Sequence, residues 1–261
     1  MNVMNRTVWV WVIGLGVTLL WSGVVFEARP GLRLDHSAEA QSRRTSASTS
    51  LPKYVPPTLS APTGLRGGGT RGIVAKLLSI AALAPEHVGL TMEAQPALYW
   101  YLSQATSLPV ELTITQLRAI DPLFETRLPS PLLPGIQRVK LADYDIRLTP
   151  GVAYHWYVSV IYDLEQRSRD VITSGAIQLR EAPQALRLRL SEADKSATPH
   201  IYAEAGFWYD AISAISELID AAPHNLELRQ QRAALLEQVY LPEVADYDRA
   251  TKEPQRRKKQ E

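Results

Sequence analysis

The sequence predicts a mainly β protein with some α-helix: an immunoglobulin-like β-sandwich followed by a short helical hairpin. Three observations support this fold class. Residues 152–163 alternate apolar and mixed side chains with a period of two, which is typical of a strand with one buried face. Other short apolar runs, separated by turn signals, recur at regular spacing up to residue 179. After residue 198 the apolar residues recur every three or four positions, as they do on one face of a helix.

The run from Val152 to Asp163 is predicted to be the central strand. Its β-branched and aromatic side chains suit a pleated surface. A turn signal, Leu-Thr-Pro-Gly, comes directly before it at residues 148–151. Trp156 is expected to anchor the core, together with the alternate residues that share its face: Val152, Tyr154, Val158, Val160 and Tyr162.

An aromatic run at residues 97–102 predicts another strand. The alternation directs Trp100 inward, with Leu98 and Leu102, and leaves Tyr99 and Tyr101 on the outer face. Two exposed tyrosines would form a small platform on which a sugar ring could stack. A carbohydrate- or surface-ligand-binding sandwich is therefore the alternative to an interaction module.

The chain divides into five predicted regions. We expect an export signal or membrane anchor at 1–40, a disordered Ser/Thr/Pro linker at 41–66, and the β-sandwich at 67–183. A helical hairpin region follows at 184–248. The last region, 249–261, contains six basic and two acidic residues, and we expect a disordered basic tail.

Residues 8–26 form an uncharged stretch of nineteen, long for the core of an export signal and just long enough to span a bilayer. Ala38-Glu39-Ala40 resembles a cleavage site. Both readings, a cleaved export signal and an uncleaved anchor, stay open. Either one predicts a periplasmic or extracellular body, which contacts the membrane only through residues 8–26 if these are retained.

The catalytic motifs that we sought are absent from the sequence. There is no cysteine, which excludes disulfides and thiolate chemistry, and no two of the five histidines have metal-ligand spacing. A G-x-G-x-x-G match at residues 67–72 follows a Pro/Ser-rich stretch, where a nucleotide site needs a strand. We therefore predict no catalysis, cofactor or metal, although an enzyme whose residues converge only in space stays open. The net charge of +1 gives no reason to expect nucleic-acid binding.

Two arginine-containing loops are candidate contact sites for a partner, for which we expect another envelope protein. Residues 163–170 combine two arginines with three acids, which predicts either a turn with local ion pairs or a recognition edge built from Arg167, Arg169 and Asp170. Arg71, in the glycine-rich loop, could hold that loop against the domain or against a partner. With Tyr99 and Tyr101, these residues complete the candidate partner-binding set.

The helical end is similar to the second half of a tetratricopeptide repeat. Tyr202, Gly206, Trp208, Ala211 and Pro223 have the spacing of that repeat, whereas its first half does not match. A single repeat cannot bury its own apolar faces, so the hairpin must pack on the β domain or on a partner. We expect Trp208 to lie buried at this junction.

The whole order of motifs resembles the domain-of-unknown-function 928 family, which is found mainly in cyanobacteria. The residues that carry the resemblance span Gly67 to about Leu241: Gly67-Gly-Gly-Thr-Arg-Gly72, Leu83-Ala-Pro85, Gly89-Leu-Thr91, Pro96 with Trp100, Pro134-Gly-Ile136, Gly151 with Tyr154-His-Trp156, Arg167-Ser-Arg-Asp170 with Gly175, Tyr202-Ala-Glu-Ala-Gly206 and Trp208-Tyr-Asp210. The resemblance implies an exported protein with a β domain and a helical end. It implies no activity.

Overall fold

The computed structural model describes residues 50–57 and 78–250, all within one compact unit. The strands come first and the helices follow, as predicted. Eight strands are described: β1 Ile80–Ala82, β2 Gly89–Thr91, β3 Ala97–Leu102, β4 Val110–Gln116, β5 Phe124–Arg127, β6 Gly135–Lys140, β7 Ala153–Val160 and β8 Val171–Leu179.

The strands form two sheets with an immunoglobulin-type strand order. The smaller sheet has the order β1-β3-β6, and the larger has the order β2-β8-β7-β4-β5. The first strand is divided between the sheets: β1 pairs antiparallel with β3, and β2 pairs parallel with β8. The remaining strand pairs are antiparallel. The predicted sandwich is therefore confirmed.

The central strand, β7, lies third of five in the larger sheet, as its alternation predicted. Trp156 is completely buried, and the hydroxyl of Tyr154 accepts a hydrogen bond from the backbone N–H of Thr149 at 3.2 Å. This is the tyrosine corner of immunoglobulin-like folds, in which the tyrosine stands two residues before a conserved cysteine. Trp156, two residues after Tyr154, fills the core at the position where antibody domains have that cysteine.

The helical region contains five helices in the described residues, more than the hairpin that the sequence predicted: α1 Gln184–Glu192, α2 Thr198–Glu204, α3 Trp208–Ala221, α4 Leu226–Gln238 and α5 Pro242–Ala250. Asn225 caps α4, since its side-chain oxygen accepts from the backbone N–H of Glu227 at 3.0 Å. Gly206 joins α2 to α3 with φ +82°, a left-handed conformation that favours glycine.

The start of α3 closes the edge of the sandwich where the chain crosses from β1 to β2. Trp208 is completely buried there, as expected, and its indole N–H donates to the carbonyl of Leu83 at 2.8 Å. The hydroxyl of Tyr209 accepts from the indole N–H of Trp156 at 2.9 Å and donates to the carbonyl of Ala176 at 3.0 Å. Helix α3 therefore supplies the hydrogen-bond partner of the central core tryptophan, so the two predicted regions share one core.

Residues 50–57 correct the prediction of a disordered linker over 41–66. Tyr54 is buried, and its ring packs edge-on against Trp208 at a centroid distance of 4.9 Å. The backbone N–H of Val55 donates to the carbonyl of Ala203 at 3.0 Å, and the side-chain amide of Gln238 donates to the carbonyl of Pro52 at 2.9 Å. Composition suggested mobility, but this segment is bound to the helices by a buried aromatic ring and by backbone hydrogen bonds.

Several predictions fall on residues that lie outside the described ranges. These are the export signal or anchor at 1–40, the remainder of the linker, the glycine-rich loop with Arg71, and the tail after residue 250. Within residues 50–57 and 78–250, no helix combines the length and the apolar character needed to cross a bilayer.

Candidate functional site

A charged network lies at the end of the sandwich where the β7–β8 loop and the start of β4 meet. Arg167 donates to Asp170 at 2.6 Å and to Glu111 at 2.8 Å, and Glu111 also accepts from Arg127 at 3.2 Å. Both carboxylates are buried, whereas the arginines are at least half exposed. The pKa of Arg167 is raised by its hydrogen bond to Asp170 and, to a smaller extent, by its hydrogen bond to Glu111, so Arg167 stays charged. We call these four residues the loop-end network.

Of the two interpretations of this loop that the sequence left open, the structure shows the turn with local ion pairs, and the recognition edge stays a prediction. Arg167 and Asp170 form local ion pairs, whereas Arg169 is exposed and forms no ion pair with a described residue. The side chains of Leu164 and Ile172, in the same segment, are 58% and 45% exposed. This end of the sandwich therefore presents Arg169, which has no ion pair among the described residues, and two apolar side chains, beside a loop that buried carboxylates hold in place.

The structure contradicts the expectation that Tyr99 and Tyr101 face solvent. They lie on the outer face of the smaller sheet, as the alternation predicted, but only 3% and 9% of their surfaces are exposed. The ring of Tyr101 packs against Tyr247 of α5 at a centroid distance of 5.0 Å. Because helices cover this face, the two tyrosines provide no platform for a sugar ring.

A second cluster of charges is buried between α3, α4 and α5. Arg232 donates to both oxygens of Asp248, at 2.7 and 2.8 Å, and to the hydroxyl of Ser216 at 2.9 Å. Arg229 donates to Asp248 at 3.2 Å and to the carbonyl of Pro223 at 3.3–3.4 Å. The side chains of Arg229, Arg232 and Asp248 are 8%, 7% and 0% exposed, so all three charges lie inside the protein.

These two arginines line a cavity of about 400 Å³ between the helices and β6. We call it the arginine cavity. Its apolar side is formed by Leu132, Pro134, Ile136 and Ile219. Its mouth carries the ion pair between Arg138 and Asp220, at 2.9 Å, both of which are at least one-third exposed. This volume is within the range of small-molecule sites.

The arginine cavity was not predicted, although the sequence contained a sign of buried arginines. The apolar stripe of α4 runs from Leu228 to Leu235 and is interrupted by Arg229 and Arg232, three residues apart on one side of the helix. Their burial depends on Asp248, a carboxylate in the following helix. Helical periodicity could show the interruption but could not show the distant carboxylate.

A buried carboxyl group marks the contact between α3 and β2. Asp210 accepts hydrogen bonds from the backbone N–H of Met92 at 3.2 Å and from the hydroxyl of Thr91 at 3.4 Å. Burial raises the pKa of Asp210 to about 7. The group also lines a cavity of about 300 Å³, together with Glu93, Tyr202 and other residues. Among the described residues, no group of three or more metal-ligating side chains is suitably placed to hold an ion.

The structure and the site define an immunoglobulin-type β-sandwich extended by a helical layer with a buried arginine pair. A family model described as Domain of Unknown Function (DUF928) matches residues 66–248, which is more than half of the chain. The chain belongs to this family. No curated protein matches it. The cyanobacterial source that the sequence resemblance implied stays a prediction.

Proposed function

We propose that the protein is an exported, envelope-associated interaction module that binds another envelope protein and has no catalytic activity of its own. One observation carries the proposal: the β7–β8 loop exposes Arg169 and Leu164, and Ile172 is exposed at the start of β8, beside the loop-end network. A loop that is already ordered loses less conformational entropy on binding than a mobile one. Exposed apolar side chains beside an arginine are also typical of protein interfaces.

The proposed location rests on the sequence of residues 8–26. An uncharged stretch of this length directs a chain into or across a membrane. The full chain, fused to a reporter that is active only outside the cytoplasm, should give signal. A mature N-terminus at Gln41 would identify a cleaved signal, and a full-length chain in the membrane fraction would identify an anchor. A soluble, full-length cytoplasmic product would contradict both.

The helical end is consistent with an interaction module. Gly206 lies in the turn between α2 and α3, and Pro223 follows α3, as in the second half of a tetratricopeptide repeat. We include this likeness in the proposal because such repeats commonly form protein-binding surfaces by stacking. Here α3 packs on the sandwich, so its apolar face is already occupied and the loop end is the favoured contact.

Site-specific crosslinking tests the proposed contact. A photoreactive residue at position 164 should capture one envelope protein, and the same residue at Ile120 should not, because Ile120 is 97% exposed but lies at the opposite end of the sandwich. The substitution Arg169→Glu should abolish the crosslink at position 164 without changing the circular dichroism spectrum. Equal capture at both positions, or capture that Arg169→Glu leaves unchanged, would refute the loop end as the interface.

A further inference from the structure

The arginine cavity carries an excess of positive charge. Buried cations are normally matched by carboxylates, because an unpaired charge in the interior is costly. Here two buried arginines, Arg229 and Arg232, share the single carboxylate of Asp248. The mouth adds no positive surplus, because Arg138 is paired with Asp220 and also lies near Glu217. The buried cluster of two guanidinium groups and one carboxylate therefore carries a formal charge of +1.

Hydrogen-bond donors in the cavity exceed the acceptors that the described residues provide. Each guanidinium has five N–H groups. Arg229 and Arg232 each make three hydrogen bonds to described residues, which leaves two N–H groups on each without a described acceptor. Tyr99 lines the same cavity and is 3% exposed. The guanidinium of Arg138 lies beside its hydroxyl oxygen and can donate to it, but the O–H itself has no acceptor among the described residues. Buried donors are normally satisfied, so this set is suited to an acceptor group that enters the cavity.

The shape of the cavity indicates what the acceptor is attached to. The apolar part of the wall is formed by Ile136, Ile219 and the Leu132–Pro134 segment. Leu133 and Asp220 also line the cavity and are exposed, so it reaches solvent. An occupant would meet both guanidinium groups and apolar surface.

We propose that the arginine cavity binds a small organic monoanion, with a carboxylate on Arg229 and Arg232 and an apolar body against Ile136, Ile219 and the Leu132–Pro134 segment. Planar carboxylates match the paired N–H groups of arginine, and a single negative charge balances the surplus of +1. A phosphate group would carry more negative charge than the cavity needs. This ligand site is separate from the proposed protein interface at the loop end and does not depend on it.

Titration calorimetry on the full chain tests the site with benzoate as the probe. Benzoate should bind with one-to-one stoichiometry, and its neutral analogue benzamide should not bind, because benzamide has the same ring without the charge. Inorganic phosphate should bind more weakly than benzoate. Tighter binding of phosphate would overturn the monoanion assignment, and absence of heat with both anions at millimolar concentration would overturn the site.

Two substitutions separate ligand binding from a purely structural role of the charge cluster. Arg232→Met should abolish benzoate binding, but it also breaks a buried ion pair and can unfold the protein. Tyr99→Phe removes one hydroxyl and its contact with Arg138, whose side chain is also paired with Asp220. It should therefore change the melting temperature little and weaken benzoate binding about tenfold, the loss of one good hydrogen bond. Tyr101→Phe, on the same sheet face but outside the cavity, is the matched control and should bind like the parent. Equal affinity of Tyr99→Phe and Tyr101→Phe would refute the assignment of Tyr99 to the site.

Discussion

The hydrogen bonds of Tyr209 predict how strongly the helical layer supports the sandwich. Tyr209→Phe keeps the ring in place and removes one oxygen, which leaves the indole N–H of Trp156 without a partner. The carbonyl of Ala176 loses one hydrogen bond but stays paired within the sheet, because β8 lies between β2 and β7. Trp156 is completely buried, and an unsatisfied buried group costs about 1–3 kcal/mol. Burial raises the pKa of Tyr209, so its hydroxyl is a neutral donor and acceptor at ordinary pH. We expect the free energy of unfolding to fall by about 1–3 kcal/mol, the cost of one orphaned N–H.

Equilibrium urea denaturation, followed by circular dichroism and by tryptophan fluorescence, measures this loss. Tyr240→Phe is the matched control, because the side chain of Tyr240 is 79% exposed and its oxygen should contribute little. The parent should unfold in one transition with both probes, since strands and helices share a core. A loss below about 0.5 kcal/mol in Tyr209→Phe, within the usual effect of surface changes, would refute the reasoning that α3 completes the sandwich core.

Three further changes test other parts of the core. Trp208→Ala should lower the free energy of unfolding by about 3–5 kcal/mol and clearly lower the melting midpoint, because it empties a completely buried site. Tyr54→Ala should make residues 50–57 sensitive to protease, because it removes the ring that packs on Trp208. Asp210→Asn should remove a pH dependence of the free energy of unfolding. The pKa of Asp210 is about 7 in the folded protein and near 3.9 in the unfolded chain. The protonated carboxyl group therefore stabilises the fold at low pH, and this contribution is lost as the pH rises from about 4 through 7.

Each of these changes has a control and a contradicting result. The control for Trp208→Ala is Leu226→Ala, at an exposed helix position, which should melt like the parent. If Trp208→Ala also melts like the parent but no longer binds a partner, Trp208 is an exposed recognition residue. Val55→Ala is the control for Tyr54→Ala, since Val55 is 46% exposed in the same segment, and equal protease resistance of both would disprove the anchoring role of the ring. For Asp210→Asn, the free energies of unfolding of parent and variant are measured at pH 4.5 and at pH 8. If they differ by the same amount at both pH values, the pKa of Asp210 is not raised in the folded protein.

The sequence predicted those parts of the fold that depend on local periodicity. The central strand was recognisable because Tyr154, Trp156 and Val158 alternate with more polar residues, and this order requires one buried face. The helical region was also recognisable, because after residue 198 apolar residues recur every three or four positions, as on one face of α3. Such signals involve only residues that are close in the chain.

The remaining features depend on contacts between distant parts of the chain. Alternation placed Tyr99 opposite Trp100, but the helix that covers Tyr99 lies more than a hundred residues later. Likewise, nothing close to Arg232 in sequence indicates that Asp248 would neutralise it inside the protein. The composition around Tyr54 suggested a mobile linker, because composition does not reveal a buried docking position. The candidate site therefore required the structure.

The attachment of residues 50–57 determines where mechanical tension would enter the protein. If the N-terminal segment is held in a membrane, a pull on it reaches the described body first at Pro52 and Val55, whose backbone groups are bonded to Gln238 at the end of α4 and to Ala203 in α2. The helices, and not β1, would then bear the initial load. The three-residue strand β1 is held by few hydrogen bonds and would otherwise be the first element to peel away. Docking of Tyr54 thus shields a short edge strand of the sandwich from force.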